Sequence, residues 1–231
     1  MKSVSHMTFA AAAALVLAAM AAPASAQDVD ITFNLSATSD YVFRGVSQTD
    51  EDPAIQGGAD LTAGLFYAGV WASNVDFGDD TDAEIDLYAG VKPTYAGFTF
   101  DVGVIGYFYP GAPDFADWDY VEGKIAVSHP INDTATWGVA AFYSDDFTGG
   151  TGPAWYYELN ASAKLAEKWS VSGALGRQEI DLAGDYTTWN LGVGYAFTDH
   201  VAVDLRYWDT DEHSYGDIFG SRAVISLKGT F

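Results

Sequence analysis

The stretch that decides the fold is "SRAVISLKGTF", Ser221–Phe231. Counting back from Phe231, every second residue is small or apolar: Gly229, Leu227, Ile225 and Ala223. The residues between them, Thr230, Lys228, Ser226, Val224 and Arg222, are nearly all polar. A strand sends alternate side chains to opposite faces. This segment therefore has one greasy face and one wet face.

The same period of two recurs along the chain. In "VDITFNLSATSDYVF" the odd positions hold Val29, Ile31, Phe33 and Leu35, and the even ones Asp30, Thr32, Asn34 and Ser36. A helix does not keep such alternation. Similar segments are expected at 55–65, 68–75, 83–91, 98–109, 120–128, 135–144, 155–165, 169–178, 188–197, 201–208 and 222–231, about twelve strands in all, with 29–43 as the first. No linker or change of composition divides them, so one domain over 27–231 is expected.

The connections alternate in length. Short ones are predicted at 65–67, 92–97, 129–134, 166–168 and 198–200. Long acidic ones include "GVSQTDEDP", "DFGDDTD", "PGAPDFADWD" and "DTDEHSYGDIFG". Short turns at one end and long loops at the other describe an outer-membrane barrel. An even strand number also brings both ends of the barrel to the short-turn side.

A soluble sandwich would turn its apolar face inward. Here the polar faces carry residues too small and wet for a core, such as Ser170, Ser172, Gly192 and Gly194, while the opposite faces carry Trp169, Val171, Leu175, Trp189 and Leu191. The apolar side is therefore expected to meet lipid. Aromatics near strand ends, among them Tyr41, Phe43, Tyr67, Trp71, Phe98, Tyr143, Trp155, Trp169, Phe197 and Tyr207, are expected to form belts at the two water interfaces. In lipid every backbone group must be paired, so 222–231 is expected to close on 29–43.

The N-terminus supplies context. "MKSVSHMTFAAAAALVLAAMAAPASAQ" runs from a basic Lys2 through an Ala-rich apolar stretch to Ala24-Ser25-Ala26. That order predicts a signal peptide over 1–26. The expected fold is thus an all-β, transmembrane, antiparallel up-and-down β-barrel of about 12 strands, preceded by a cleaved signal peptide. The expected location is the outer membrane of a Gram-negative bacterium. Phe231, with Leu227 and Ile225, is read as the membrane-assembly signal.

The chain holds no Cys, 10 Lys+Arg and 32 Asp+Glu, for a net charge of −22. Removing Lys2 with the leader leaves 9 against 32. Such a surface excludes nucleic acid as an electrostatic partner. With 49% apolar and 15% aromatic residues it is no disordered acidic tail either.

"SATSDYVFRGVSQTDEDPAIQGGADL", "GLFYAGVWASNVDFGDD" and "EIDLYAGVKPTYAGFTFDVGVIGYFYPG" resemble the TorF-type porins of proteobacterial outer membranes. The similarity is densest from Ser36 to Gly111 and extends over most of the chain. It implies an outer-membrane channel and names no solute.

Barrel enzymes place a nucleophile and a histidine at the membrane edge. His129 and His200 are expected in short turns and His213 in a long loop, none beside a triad partner. No Gly-x-Ser-x-Gly, His-Glu-x-x-His or phosphate loop occurs. No catalytic residue, metal ligand or cofactor is assigned, because the acid-rich loops at 76–82 and 209–217 lack the spacing of a calcium loop.

The inner face carries the functional expectation. Extending the alternation predicts inward acids Asp40, Asp60, Glu84, Asp86, Asp101, Glu122, Glu158 and Asp204. Inward bases are Arg44, Lys92, Lys124, Lys164, Arg206, Arg222 and Lys228. Asp40, Glu84, Asp86, Glu122 and Glu158 would set a cation preference, with Arg44, Lys124 and Arg206 shaping the constriction. Alternatively Glu122, Lys124 and Arg206 pair across the lumen and plug it. A barrel of this size lies between the filled and the open extremes. Tyr107, Tyr109, Tyr156 and Trp208 are also expected inward.

The function read from these residues is a passive porin-like channel for small hydrophilic solutes, with cations preferred. The alternatives are a closed structural or adhesive barrel and, more remotely, a lipid-modifying enzyme. Expected partners are outer-membrane lipid and lipopolysaccharide, the barrel-assembly machinery, and small solutes or cations. The sequence permits oligomers.

Overall fold

The computed structural model describes residues 28–231. The leader expected over 1–26 lies outside the described residues. The strands follow the alternating segments: β1 (Val29–Thr38), β2 (Val42–Phe43), β3 (Val46–Ser47), β4 (Ala54–Ala63), β5 (Phe66–Asn74), β6 (Ala83–Val91), β7 (Thr94–Tyr95) and β8 (Phe98–Phe108). They continue as β9 (Tyr120–Asn132), β10 (Ala135–Ser144), β11 (Ala154–Lys164), β12 (Trp169–Ile180), β13 (Tyr186–Ala196), β14 (Val201–Thr210) and β15 (Arg222–Thr230). Twelve are long; β2, β3 and β7 have two residues each.

Every long strand pairs antiparallel with its neighbours in sequence, and β15 returns to β1 to close a twelve-stranded up-and-down barrel. Closure runs from Asn34↔Thr230 to Thr38↔Ser226. It is finished by reciprocal 2.9 Å hydrogen bonds between the backbones of Phe33 and Phe231. Among the described residues no long strand is left with an open edge, as a lipid-facing sheet requires.

The first strand is shorter than the alternation suggests. It stops at Thr38; Ser39 N–H still donates to Ile225 O at 2.9 Å, and the chain then leaves the wall instead of pairing with β15 as far as Phe43. Two turn boundaries also move. Tyr67 lies on β5, and His129 lies on β9, its ring 4.4 Å from that of Phe98. The β9–β10 turn tightens to two residues because Asn132 Oδ1 accepts bonds from the backbone N–H groups of Thr134 and Ala135.

Register makes the two faces explicit. Directly opposed residues of neighbouring strands share a face. The outer face presents Leu35, Ile125, Leu159, Leu175, Leu191 and Leu205, each more than half exposed. That apolar belt is the surface a bilayer covers. Aromatics group at its two ends: Tyr143, Trp155 and Tyr157 by the long loops, and Trp169, Tyr195 and Phe197 by the short turns. Tyr41, Phe43, Tyr67 and Trp71 depart from the belt expectation. Tyr67 and Trp71 share the inner face with Thr62 and Gly58, and Tyr41 and Phe43 pack inside the barrel.

Candidate functional site

The lumen has two unlike halves. The buried side chains, including Tyr107, Tyr120, Glu122, Tyr156, Gln178 and Thr188, lie at the loop ends of their strands. Toward the short turns the inward residues are partly exposed and polar. The barrel is a wet cup from the turn end and a packed plug at the loop end.

The plug is built around residues 39–53. Within them β2 and β3 form a hairpin whose two-residue tip is Arg44–Gly45, with φ of 49° and 87°. Two successive positive φ values are what a type I′ hairpin turn uses, and Gly at the second position suits it. The hairpin bends inward across the lumen. Gly45 packs so closely on β13 that an added Cβ would lie 2.2 Å from Thr188 Oγ1.

Arg44 anchors the tip. Its guanidinium donates to Glu122 on β9 through Nη1–Oε1 at 2.9 Å and Nη2–Oε2 at 2.6 Å, and Nη1 also donates to Gln178 Oε1 on β12 at 3.1 Å. The cation lies over the rings of Tyr156 at 4.3 Å and Phe142 at 4.9 Å. The side chains are only 5% and 1% exposed. A bidentate geometry with further hydrogen bonds is what a buried ion pair needs to offset its desolvation.

The base of the hairpin is held separately. Asp40 accepts from Ser47 Oγ at 2.7 Å, from Thr49 Oγ1 at 3.1 Å and from Arg222 Nη1 on β15 at 3.1 Å. Tyr41 packs edge-on against Trp71 of β5, with centroids 5.2 Å apart, and Phe43 packs on Tyr107 of β8 at 5.8 Å. The hairpin therefore touches the wall on several sides.

Two further loops roof the plug. Trp118 Nε1 donates to Asp79 Oδ2 at 3.1 Å, and Phe77 lies between Trp118 and Tyr109. Hydrogen bonding from Thr81, whose backbone N–H donates to Asp79 Oδ1 at 2.8 Å, together with this indole N–H, holds the Asp79 carboxyl below its ordinary range.

The turn-end cup contains further inward charges, several of them in local networks. Asp101 accepts from Lys124 Nζ and Tyr67 Oη, both at 2.7 Å, and Lys92, in the β6–β8 turn, stands 3.8 Å away. Asp60 accepts from Tyr88 Oη at 2.6 Å and Asn34 Nδ2 at 3.3 Å. Glu158 accepts from Asn160 Nδ2 at 2.8 Å and Tyr156 Oη at 3.2 Å. Arg206 donates to Asp204 at 3.1 Å and to Ser172 Oγ at 2.7 Å. Gly90 and Gly103 leave room for the Tyr67 hydroxyl, which an added Cβ would meet at 2.5 and 2.4 Å.

The eight acids read as inward, with Arg44, Lys124 and Arg206, sit inside the barrel or its inserted loop. Their pairing differs from a Glu122–Lys124–Arg206 network. Glu122 takes Arg44, Lys124 takes Asp101 and Arg206 takes Asp204. Arg44 arrives from a loop, not from a strand face. Gln178, Thr188 and Tyr41, which complete the plug, carry no sequence signal beyond inward parity or proximity to Gly45. His213 meets Asp209 Oδ1 at 2.7 Å on an exposed loop.

These features define the class of fold, a twelve-stranded porin-type barrel with an inserted loop. The KdgM porin matches it with a TM-score of 0.63 at 7% sequence identity, over 87% of this chain and 99% of that one. The NanC porin gives 0.56 at 9% identity, over 86% and 97%. The COG4313 outer membrane channel from Pseudomonas putida F1 gives 0.55 at 12%, over 90% and 98%. At such identities the likeness is one of fold. A family model matches residues 21–230, and the chain belongs to that family, described as a bacterial protein of unknown function (Gcw_chp). A search of curated protein sequences gave no match.

Proposed function

We propose that the chain is an outer-membrane channel of the porin type, in which the 39–53 hairpin closes the lumen until it is displaced. The observation that carries this reading is the division of the lumen. The cup is polar and partly exposed, and a loop tipped by Arg44 crosses the loop end. A loop can leave without breaking the sheet, because its residues contribute no strand to the barrel.

The solutes are small and hydrophilic and pass by diffusion. Carboxylates crowd the loops, with Asp50, Glu51 and Asp52 in one and Asp76, Asp79, Asp80 and Asp82 in the next. Their field concentrates cations at the outer mouth and is screened over about 10 Å at 0.1 M salt. Cation preference follows. The resemblance of 36–111 to TorF-type porins supports the channel reading, as does the fold shared with the KdgM porin and the COG4313 outer membrane channel. The apolar belt and closed sheet support insertion in the outer membrane. There the acidic loops would face lipopolysaccharide, and the barrel would be placed by the assembly machinery.

The packed tyrosines of the loop end favour a second reading, a barrel closed permanently and used structurally. The two are separated by reconstitution into liposomes. A channel swells the vesicles in isotonic small sugars and gives a cation-signed reversal potential under a salt gradient. A permanently closed barrel does neither.

A further inference from the structure

The charges of the plug do not balance. Four inward carboxylates stand at its level, Asp40, Glu84, Asp86 and Glu122, against two guanidinium groups. Arg44 is taken by Glu122 and Arg222 by Asp40. Glu84 and Asp86 are left. They stand two residues apart on the inner face of β6, so their side chains project the same way.

Their surroundings supply no cation. Glu84 faces Ser73, and Asp86 lies between Trp71 of β5 and Tyr107 of β8. The Tyr41 hydroxyl, on the inserted loop, donates to Glu84 Oε1 at 3.3 Å. Glu84 Oε2 and Asp86 Oδ1 are buried and have no hydrogen-bond partner among the described residues. Glu84 is only 2% exposed. Two adjacent carboxylates in a dry pocket are costly unless a positive charge sits between them, since buried charges are paired or bind metal.

We propose that Glu84 and Asp86 form a binding site for one hard divalent cation of the Ca²⁺ class. The missing charge is two positive units, the lone oxygens are carboxylate oxygens, and hard cations take such ligands in flexible geometry. Among the described residues no group of three or more His, Cys, Asp or Glu side chains converges on one point. The site is therefore a weak, exchanging one, completed by water and neighbouring hydroxyls. It deepens the reading of the chain as a cation-preferring channel, which it rests on for its role: a cation between Glu84 and Asp86 sits against Tyr41, so its arrival and loss act on the loop that closes the lumen.

The test uses the full barrel in detergent with Tb³⁺ as the probe, its luminescence sensitised by Trp71 and the nearby tyrosines and competed by Ca²⁺. Glu84→Gln and Asp86→Asn are compared with Asp80→Asn on the outer loop, each first checked for heat-modifiable gel migration. The expected result is a saturable component that Ca²⁺ displaces. Either inner substitution should weaken it about tenfold or more, the loss that removing even an outer-shell partner can bring, and Asp80→Asn should leave it in place. A signal indifferent to both inner substitutions overturns the site. So does an infrared protonated-carboxyl band at neutral pH, absent from both inner variants and unmoved by Ca²⁺, because protons then supply the charge. Binding in a barrel that never conducts would keep the site and remove the channel. Cation conduction with no inner Tb³⁺ component would do the reverse.

Discussion

Arg44 and Glu122, 78 residues apart in sequence, meet inside the barrel through paired hydrogen bonds of 2.9 and 2.6 Å. One belongs to a loop and the other to the wall. Their contact converts a tube into a cup. Removing one partner of a buried ion pair leaves the other uncompensated, which costs about 3–5 kcal/mol. Arg44→Ala should therefore release the 39–53 loop while the barrel keeps its heat-modifiable migration. Limited proteolysis between Gly45 and Pro53 measures the release. Glu122→Ala should act alike, and the double variant should cost less than the two singles together, as residues in contact do.

Gly45 tests the same hairpin without touching a charge. Its φ of 87°, and the 2.2 Å at which an added Cβ would meet Thr188 Oγ1, make any side chain both strained and crowded. Gly45→Val should destabilise the inserted position by about 1–3 kcal/mol, read by hydrogen exchange of the loop amides. The β13 and β14 amides of the wall should stay protected.

The assignment of faces is open to a depth test. Leu191 points outward from the middle of β13, more than half exposed, and Ser170 points inward near the turn end. Leu191→Arg should lower folding stability in vesicles by about 2–4 kcal/mol, the range for Arg at the lipid midplane. Ser170→Lys, which projects into the hydrated cup, should stay within about 0.5 kcal/mol. Equilibrium unfolding in urea measures both.

The seam between β1 and β15 is short, and Phe231 extends it through its reciprocal bonds to Phe33. Its ring also lies parallel to that of His200, with centroids 6.3 Å apart. Deleting Phe231 should reduce the yield of folded barrel in membranes, and Phe231→Tyr should restore it.

Much of this architecture can be read from alternation, because a barrel wall imposes one rule on every strand: apolar outward, polar inward. The facing of Glu84, Asp101, Glu122 and Arg206 follows from parity alone. The register shift between Ala135 and Thr136 falls at a turn, so it does not invert the strands that follow. Parity fails where the chain leaves the wall. Tyr41 and Phe43 continue the odd-numbered apolar pattern of β1, yet that pattern there reflects packing inside the lumen. The local feature at that point is "VFRGVS", Val42–Ser47, where Gly45 supplies the second positive-φ position of a two-residue turn. Ion-pair partners were beyond reach, because Arg44 and Glu122 come together through closure of the whole barrel and not through local spacing.

The central claim, that a displaceable loop and not the wall closes the lumen, is tested most directly by planar-bilayer conductance of the native chain and Arg44→Ala under a salt gradient. The account predicts rare, small openings for the native chain. For the variant it predicts frequent, larger steps whose reversal potential favours cations. A correctly folded Arg44→Ala barrel that stays as silent as the native one would contradict it, and would assign closure to the packed wall itself.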